Sequence, residues 1–263
     1  MAMIYWFHSK MKEGCRMNSR WLDAPEKTHV VSAATYFVLS YLSLPTFLSM
    51  LGIGLEPDLN VASWFEIVFH VINFLLIGYI FRQYLSESLI NAQVNKEQMI
   101  TTVATAVGAM LGVGILWFLC FFLTGGVYFF ELAAIGTLPL TGIDLFALSS
   151  DVVLGNKIFG TLCVVLLTPI TTSCLYYAIG FVPAYNVKPW LGYAVMALVV
   201  AFPRACNAIQ WGNPTMELML YLAQLPIHMI GCWAYKKVDT IWAPIVSIVI
   251  ANVISSLVLI IFF

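Results

Sequence analysis

Long apolar stretches separated by short polar ones dominate this chain, and their lengths set the fold. Runs at roughly Val30–Leu55, Val61–Leu85, Ile100–Gly125, Ile158–Pro183, Trp190–Trp211, Met216–Tyr235 and Ile241–Phe263 are each about 20 residues or longer, which is what an α-helix needs to cross the hydrocarbon of a bilayer. They lack the alternation of barrel strands. A backbone in lipid must satisfy its polar groups within the segment, so helix is the state they predict. The pattern predicts an all-α, polytopic transmembrane helical protein of about seven spans, with residues 1–29 as an N-terminal segment and 30–263 as a single transmembrane domain. Val127–Leu140 is apolar but short and broken by Gly136 and Pro139. It suits a re-entrant or interfacial piece, or an extension of the third span.

Composition agrees with the pattern. The chain of 263 residues is 61% hydrophobic and 10% charged, with a mean hydropathy of +0.91, whereas soluble domains carry about a quarter charged residues. A formal net charge of −1 gives no sign of a nucleic-acid partner. The placement of the charges is more informative. Lys10, Lys12, Arg16, Arg20 and Lys27 precede span one; Arg82 and Lys96 fall around the junction of spans two and three; Lys188 separates four from five; Lys236 and Lys237 separate six from seven. In a seven-span zigzag all of these lie on one side, Lys157 lies on the other, and Arg204 lies within span five. The excess of Lys and Arg on the cytoplasmic side predicts a cytoplasmic N-terminus and an external C-terminus, and the expected location is a bacterial plasma membrane. The first 28 residues carry scattered charge without a long apolar core, so no secretory signal is expected, and Met17 offers an alternative start. Of six cysteines, all but Cys15 fall in apolar runs and none forms a CxxC pair, which predicts reduced core residues.

Ionisable groups within spans are costly and default to functional candidates. Glu66 and His70 are four apart, on one helix face. They suit either part of a metal site or proton relay, or a mutually satisfied pair stitching helices together with Asn73. Arg204 follows Pro203, and His228 lies two residues after Pro226. Because proline frees a carbonyl in the preceding turn, the favoured expectation for both is a hydrogen bond to such a carbonyl, with substrate contact as the alternative. Glu217 is expected near the outer interface at a helix start. Gly108, Gly112 and Gly114 make a small-residue face suited to close packing, against a neighbouring span or another subunit. No GxGxxG, GxxxxGK[ST] or HExxH motif occurs.

The stretch Ala234–Asn252, AYKKVDTIWAPIVSIVIAN, resembles the C-terminal signature of the CPBP family, the CAAX-protease and bacteriocin-processing intramembrane metalloproteases. The match rests on Tyr235, Thr240, Trp242, Pro244 and Asn252. The family's Pro-x-x-Glu-Glu-x-x-x-Arg element would lie on Pro169 to Tyr177, and its Phe-x-x-x-His element on Phe202 to Cys206. The resemblance covers residues 158–263 and implies a CPBP-like helical core. In that family Glu and His side chains hold a metal that activates water. The aligned positions here are Thr172 and Ser173 for the two Glu, Tyr177 for the Arg, Cys206 for the first His and Ile248 for the last, leaving only Asn252. Hydroxyls do not replace two carboxylates around a divalent ion, and isoleucine ligates nothing.

The expectation is a non-catalytic CPBP-like membrane protein, acting as a scaffold or regulator by binding a helix, a peptide or lipid. Its pocket would be lined by Thr172, Ser173, Tyr177, Arg204, Cys206, Asn207 and Asn252, with Tyr177, Arg204, Asn207 and Asn252 as the binding residues. No cofactor is expected. Partners would be membrane lipid and a membrane protein or peptide. One alternative is an active intramembrane metalloendopeptidase whose zinc is held by Glu66, His70 and His228. A second is a transporter or channel component, suggested by Pro169, Pro203 and Pro226.

Overall fold

The computed structural model describes residues 22, 25–50, 59–123, 163–211 and 214–262, with side chains near several helix ends excepted. Among the described residues all regular structure is helical, in eight helices. These are α1 (Lys27–Met50), α2 (Leu59–Ile80), α3 (Arg82–Val94), α4 (Lys96–Leu123), α5 (residues 163–187), α6 (Pro189–Trp211), α7 (Pro214–Val238) and α8 (Trp242–Phe262). The apolar segment Val127–Leu140 lies outside the described residues.

Among the described residues, four stretches are long and apolar enough to cross a membrane: Lys96–Trp117, Val165–Val187, Pro189–Cys206 and Glu217–Val238. The protein is therefore a multi-pass membrane protein by length and composition. Proline opens both α6 and α7, where its missing N–H costs nothing and its fixed φ suits the first turn.

Two boundaries depart from the sequence expectation. The apolar run Val61–Leu85 is not one helix: α2 ends at Ile80, and Phe81 adopts φ −96°, ψ 9° before α3 begins. Phe81 is itself fully buried in the core, so the apolar pattern runs straight through the bend. The run predicted to stop at Pro183 instead continues to Val187. Pro183 does not end it because it falls one residue into an α-helical segment, Val182–Val187, that follows a π-helical one.

α5 is the hub. Of its membrane-crossing stretch 67% is buried, against 28% to 33% for the other three, and it packs on α1, α2, α6 and α8, while α4 lies along α7 and α8. Its backbone alternates: π-helical at Cys163–Leu167, α-helical at Thr168–Ser173, π-helical at Cys174–Phe181, then α-helical to Val187. Pro169 and Pro183 each remove a backbone donor just beyond a π-helical stretch. Tyr177, Phe181 and Tyr185, spaced by four, are buried in the core: the Phe181 ring lies tilted 5.2 Å from that of Tyr185 and meets the Tyr193 ring edge-on at 5.3 Å.

One end of the bundle is held by a plate of hydrogen bonds. Leu22 and Asn186 exchange two bonds of 2.8 Å, joining the lead-in to α1 with the end of α5. The Tyr84 and Tyr235 hydroxyls pair, and the Ser88 and Thr240 hydroxyls lie 2.7 Å apart. Thr240 Oγ1 also donates to the Ser88 carbonyl at 2.9 Å, and the Ile241 N–H donates to Ser88 Oγ at 3.0 Å. Trp242 Nε1 donates to the Leu85 carbonyl at 2.9 Å, and Gln98 Nε2 to the Lys237 carbonyl at 2.9 Å. Asp239, at φ 53°, turns the chain sharply between α7 and α8; aspartate tolerates this left-handed conformation better than most residues. The bonds gather the starts of α1, α4 and α8 with the ends of α2, α5 and α7, so the long helices alternate in direction. α3 straps across this plate, with Tyr84, Ser88 and Ala92 on its buried face.

Candidate functional site

A set of long polar side chains inside the membrane-crossing stretches gathers where α5, α6 and α7 meet. On α7, Glu217, Gln224, His228 and Gly231 follow one another at intervals of seven, four and three, which places them on one helix face. Arg204, reaching from α6, meets the first two: Nη1 lies 3.3 Å from Glu217 Oε2, and Nε donates to Gln224 Oε1 at 3.3 Å. The Arg204 side chain is 21% exposed and that of Glu217 13%. Pairing cancels the charge of a guanidinium that would be expensive on its own at membrane depth.

One turn further, His228 meets α5. Tyr177, fully buried, brings its hydroxyl to 3.3 Å from His228 Nδ1 and donates to the His228 carbonyl at 3.4 Å. The Tyr176 ring packs edge-on against the imidazole at 4.8 Å. Tyr177 reaches this far only because residue 231 is glycine: a Cβ there would sit 2.6 Å from the ring carbon bearing the hydroxyl.

Arg204 and His228 are thus not hydrogen-bonded to proline-freed carbonyls in the way the sequence suggested. Arg204 instead uses the carboxylate and amide that the α7 face offers, and the His228 carbonyl itself accepts from Tyr177. Asn73 does join two helices. Its Oδ1 accepts from the Tyr36 hydroxyl of α1, stitching α1 to α2. The backbone of α2 includes Glu66 and His70, but their side chains lie outside the described residues.

The positions aligned with the protease motifs fall into separate roles. Thr172 donates to the Thr168 carbonyl of its own helix at 2.8 Å. Ser173 is buried, and its Oγ has no hydrogen-bond partner among the described residues. Tyr177 is committed to α7. Cys206 is a buried free thiol, as are Cys174 and Cys232. Ile248 packs against the central apolar cluster, and Asn252 is buried on α8, the helix that packs on Thr168–Ser173. The Asn207 side chain lies outside the described residues. Among the described residues no three His, Cys, Asp or Glu side chains gather into a group able to hold a metal.

No protein-family model, curated protein or solved structure matches the chain.

The site is therefore read from its own geometry. Three signature residues of the resemblance, Tyr235, Thr240 and Trp242, all belong to the end plate, where they fasten α3. The small-residue face of α4 is open toward the described residues. A Cβ added at Gly108 or Gly112 would meet no atom within 4 Å, so neither glycine serves a close approach among the described residues. Sequence reasoning missed Gln224 and Gly231. The signal lay in their spacing from Glu217 and His228 on α7, which shows once the whole helix is read for one polar face instead of residue by residue.

Proposed function

We propose that the chain is a non-catalytic membrane protein of CPBP-like architecture, crossing the bilayer seven times with its N-terminus in the cytoplasm, and that it acts by binding a helix, a peptide or lipid. The observation that carries this reading is the commitment of Tyr177. Where the resemblance places an arginine of the catalytic element, this chain has a buried ring that ties α5 to His228 and lies over Gly231. Thr172, in place of a carboxylate, is tied to its own helix. Side chains that would do chemistry in the family hold helices together here. The alternating helix directions support the seven-span count, and the gathering of Lys27, Arg82, Lys96, Lys188, Lys236 and Lys237 at the plate end supports the orientation.

The test is a photo-crosslinking residue placed at 173 or 252 in the full-length protein in native membranes. Capture of one discrete membrane protein, peptide or lipid species supports a binding role. Stoichiometric zinc in the purified protein, lost on His70→Ala, would overturn it in favour of the displaced-site metallopeptidase built from Glu66, His70 and His228. Substrate-dependent flux in liposomes would instead establish a transporter, the reading that rests on the prolines of α5, α6 and α7.

A further inference from the structure

The polar face of α7 is longer than the seam. Glu217, Tyr221, Gln224, His228, Gly231 and Tyr235 follow one another at intervals of four, three, four, three and four, the repeat that keeps a single helix face in line from end to end. Glu217 and Tyr235 are 18 residues apart, about 27 Å of helix at the α-helical rise and close to the thickness of a bilayer's hydrocarbon. The one position of this stripe without a side chain is Gly231, and α5 fills it. The Tyr177 hydroxyl occupies the space that a Cβ at 231 would take, and lies 3.3 Å from His228 Nδ1. At the plate end the Tyr235 hydroxyl pairs with that of Tyr84 on α3. At the other end Glu217 and Gln224 both meet Arg204 at 3.3 Å. Between these ends Tyr221 packs, partly buried, against the central apolar cluster. Turn after turn across the membrane, α7 thus has a polar group on the same face.

Polar groups at membrane depth are costly, and lines of ionisable side chains there mark proton relays. Tyrosine, histidine and a carboxyl group each accept as well as donate, so a proton taken up on one side of such a group is released from the other. Gln224, whose amide does not readily exchange a proton, offers an acceptor and donors that hold water between Tyr221 and His228. Successive positions are one turn apart, about 5.4 Å along the axis, a gap that side-chain reach or a single bridging water closes. We propose that the α7 stripe, completed by Tyr177, is a proton path between Glu217 and the Tyr84–Tyr235 pair. A proton accepted at one end is matched by one released at the other. Only O–H and N–H bonds form and break, and rotation of the hydroxyls and the imidazole restores the starting arrangement. Arg204 stands at one end with its charge matched by Glu217, so the pair adds no net charge to repel an incoming proton. The path needs hydrogen-bonding groups and no open channel, so hydrated ions do not follow. The inference does not rest on the binding role proposed above or on which end is cytoplasmic.

The test is proton flux into liposomes that hold the full-length purified protein and a pH-sensitive dye, driven by a potassium diffusion potential with no substrate added. Flux above that of protein-free vesicles is expected. Tyr177→Phe and Tyr235→Phe keep the ring and remove only the hydroxyl, and each should cut the flux about tenfold or more, as should His228→Leu. Tyr79→Phe, at an exposed ring of α2, should leave it unchanged. A stripe that only holds helices together would lose thermal stability in these variants with no flux to lose, and circular dichroism keeps loss of folding separate from loss of conduction. Vesicles with protein that take up protons no faster than empty ones, or Tyr177→Phe and His228→Leu conducting as fast as the unaltered chain, would each overturn the proposal. Success or failure of the crosslinking experiment leaves this result untouched.

Discussion

Two polar regions hold this bundle together, and they are built differently. The centre of the plate uses short side chains and backbone groups. Ser88, Thr240 and the Ile241 N–H form a closed set of bonds between 2.7 and 3.0 Å around a turn whose backbone is fixed by Asp239. The interior seam of α5, α6 and α7 uses long side chains, Arg204, Glu217, Gln224, Tyr177 and His228, meeting at 3.3 to 3.4 Å across helices that carry Pro203 and Pro226. Short groups anchored to backbone fix one register. Long groups spanning a gap between proline-containing helices satisfy charge and polarity at membrane depth while allowing the helices to shift. The plate is a fastening, and the seam is the place where a bound partner would be felt.

The contrast predicts a graded series of effects. The largest should come from unpairing the seam: Arg204→Ala or Glu217→Ala leaves a charge without its partner and should cost about 3 kcal/mol, the low end for a buried pair because both groups are partly exposed. The double variant should be milder than either single one, read as thermal unfolding in detergent. If the losses simply add, the pair is not coupled and the seam is not a unit. Next comes Gly231→Ala, which places a methyl group inside the Tyr177 ring contact and should cost about 1–3 kcal/mol by overpacking. Combining it with Tyr177→Ala, which removes the ring, should cancel most of that increment.

The plate should respond more locally. Ser88→Ala removes a hydroxyl shared by Thr240 and the Ile241 N–H and should cost about 1–3 kcal/mol through the buried donor it strands. Hydrogen exchange should quicken in α3 and at the start of α8 before it does in α6. Uniform quickening would mean that plate and seam unfold together. At the small end, Gly108→Ala on α4 should change stability by less than about 0.5 kcal/mol, apart from a slight gain in helix propensity, because a Cβ there meets open space. A large loss would place another segment or subunit against that face.

What the sequence could and could not reveal follows from the same physics. Long apolar runs are a one-dimensional signal, so α4, α6, α7 and α8 lie within a few residues of expectation. The α2–α3 break at Phe81 was illegible because the core accepts Phe81 and Leu85 on either side of the bend, so hydropathy does not change there. The seam was half legible: Arg204, Glu217 and His228 stand out as ionisable groups in or near lipid and Tyr177 through the resemblance, but Gln224 does not, and nothing in the chain pairs any of them until α5 and α6 are folded beside α7. The plate was illegible in principle. Tyr84 and Tyr235 are 151 residues apart, and nothing local marks either hydroxyl as one half of a pair.

The π-helical stretches of α5 also have a bearing on phase. In an ordinary helix each residue advances the chain by about 100°, and a π turn contains one residue more than the α turn it replaces. Deleting a single residue from Cys174–Phe181 would therefore let that segment relax to α geometry while Tyr185 and the start of α6 kept close to their present facing. The same deletion within Thr168–Ser173, which is already α-helical and has no residue to spare, would turn everything beyond it by about 100°. The hub thus carries its slack in one stretch of its length and none in the next, and a lost residue would be absorbed or transmitted according to which stretch it fell in.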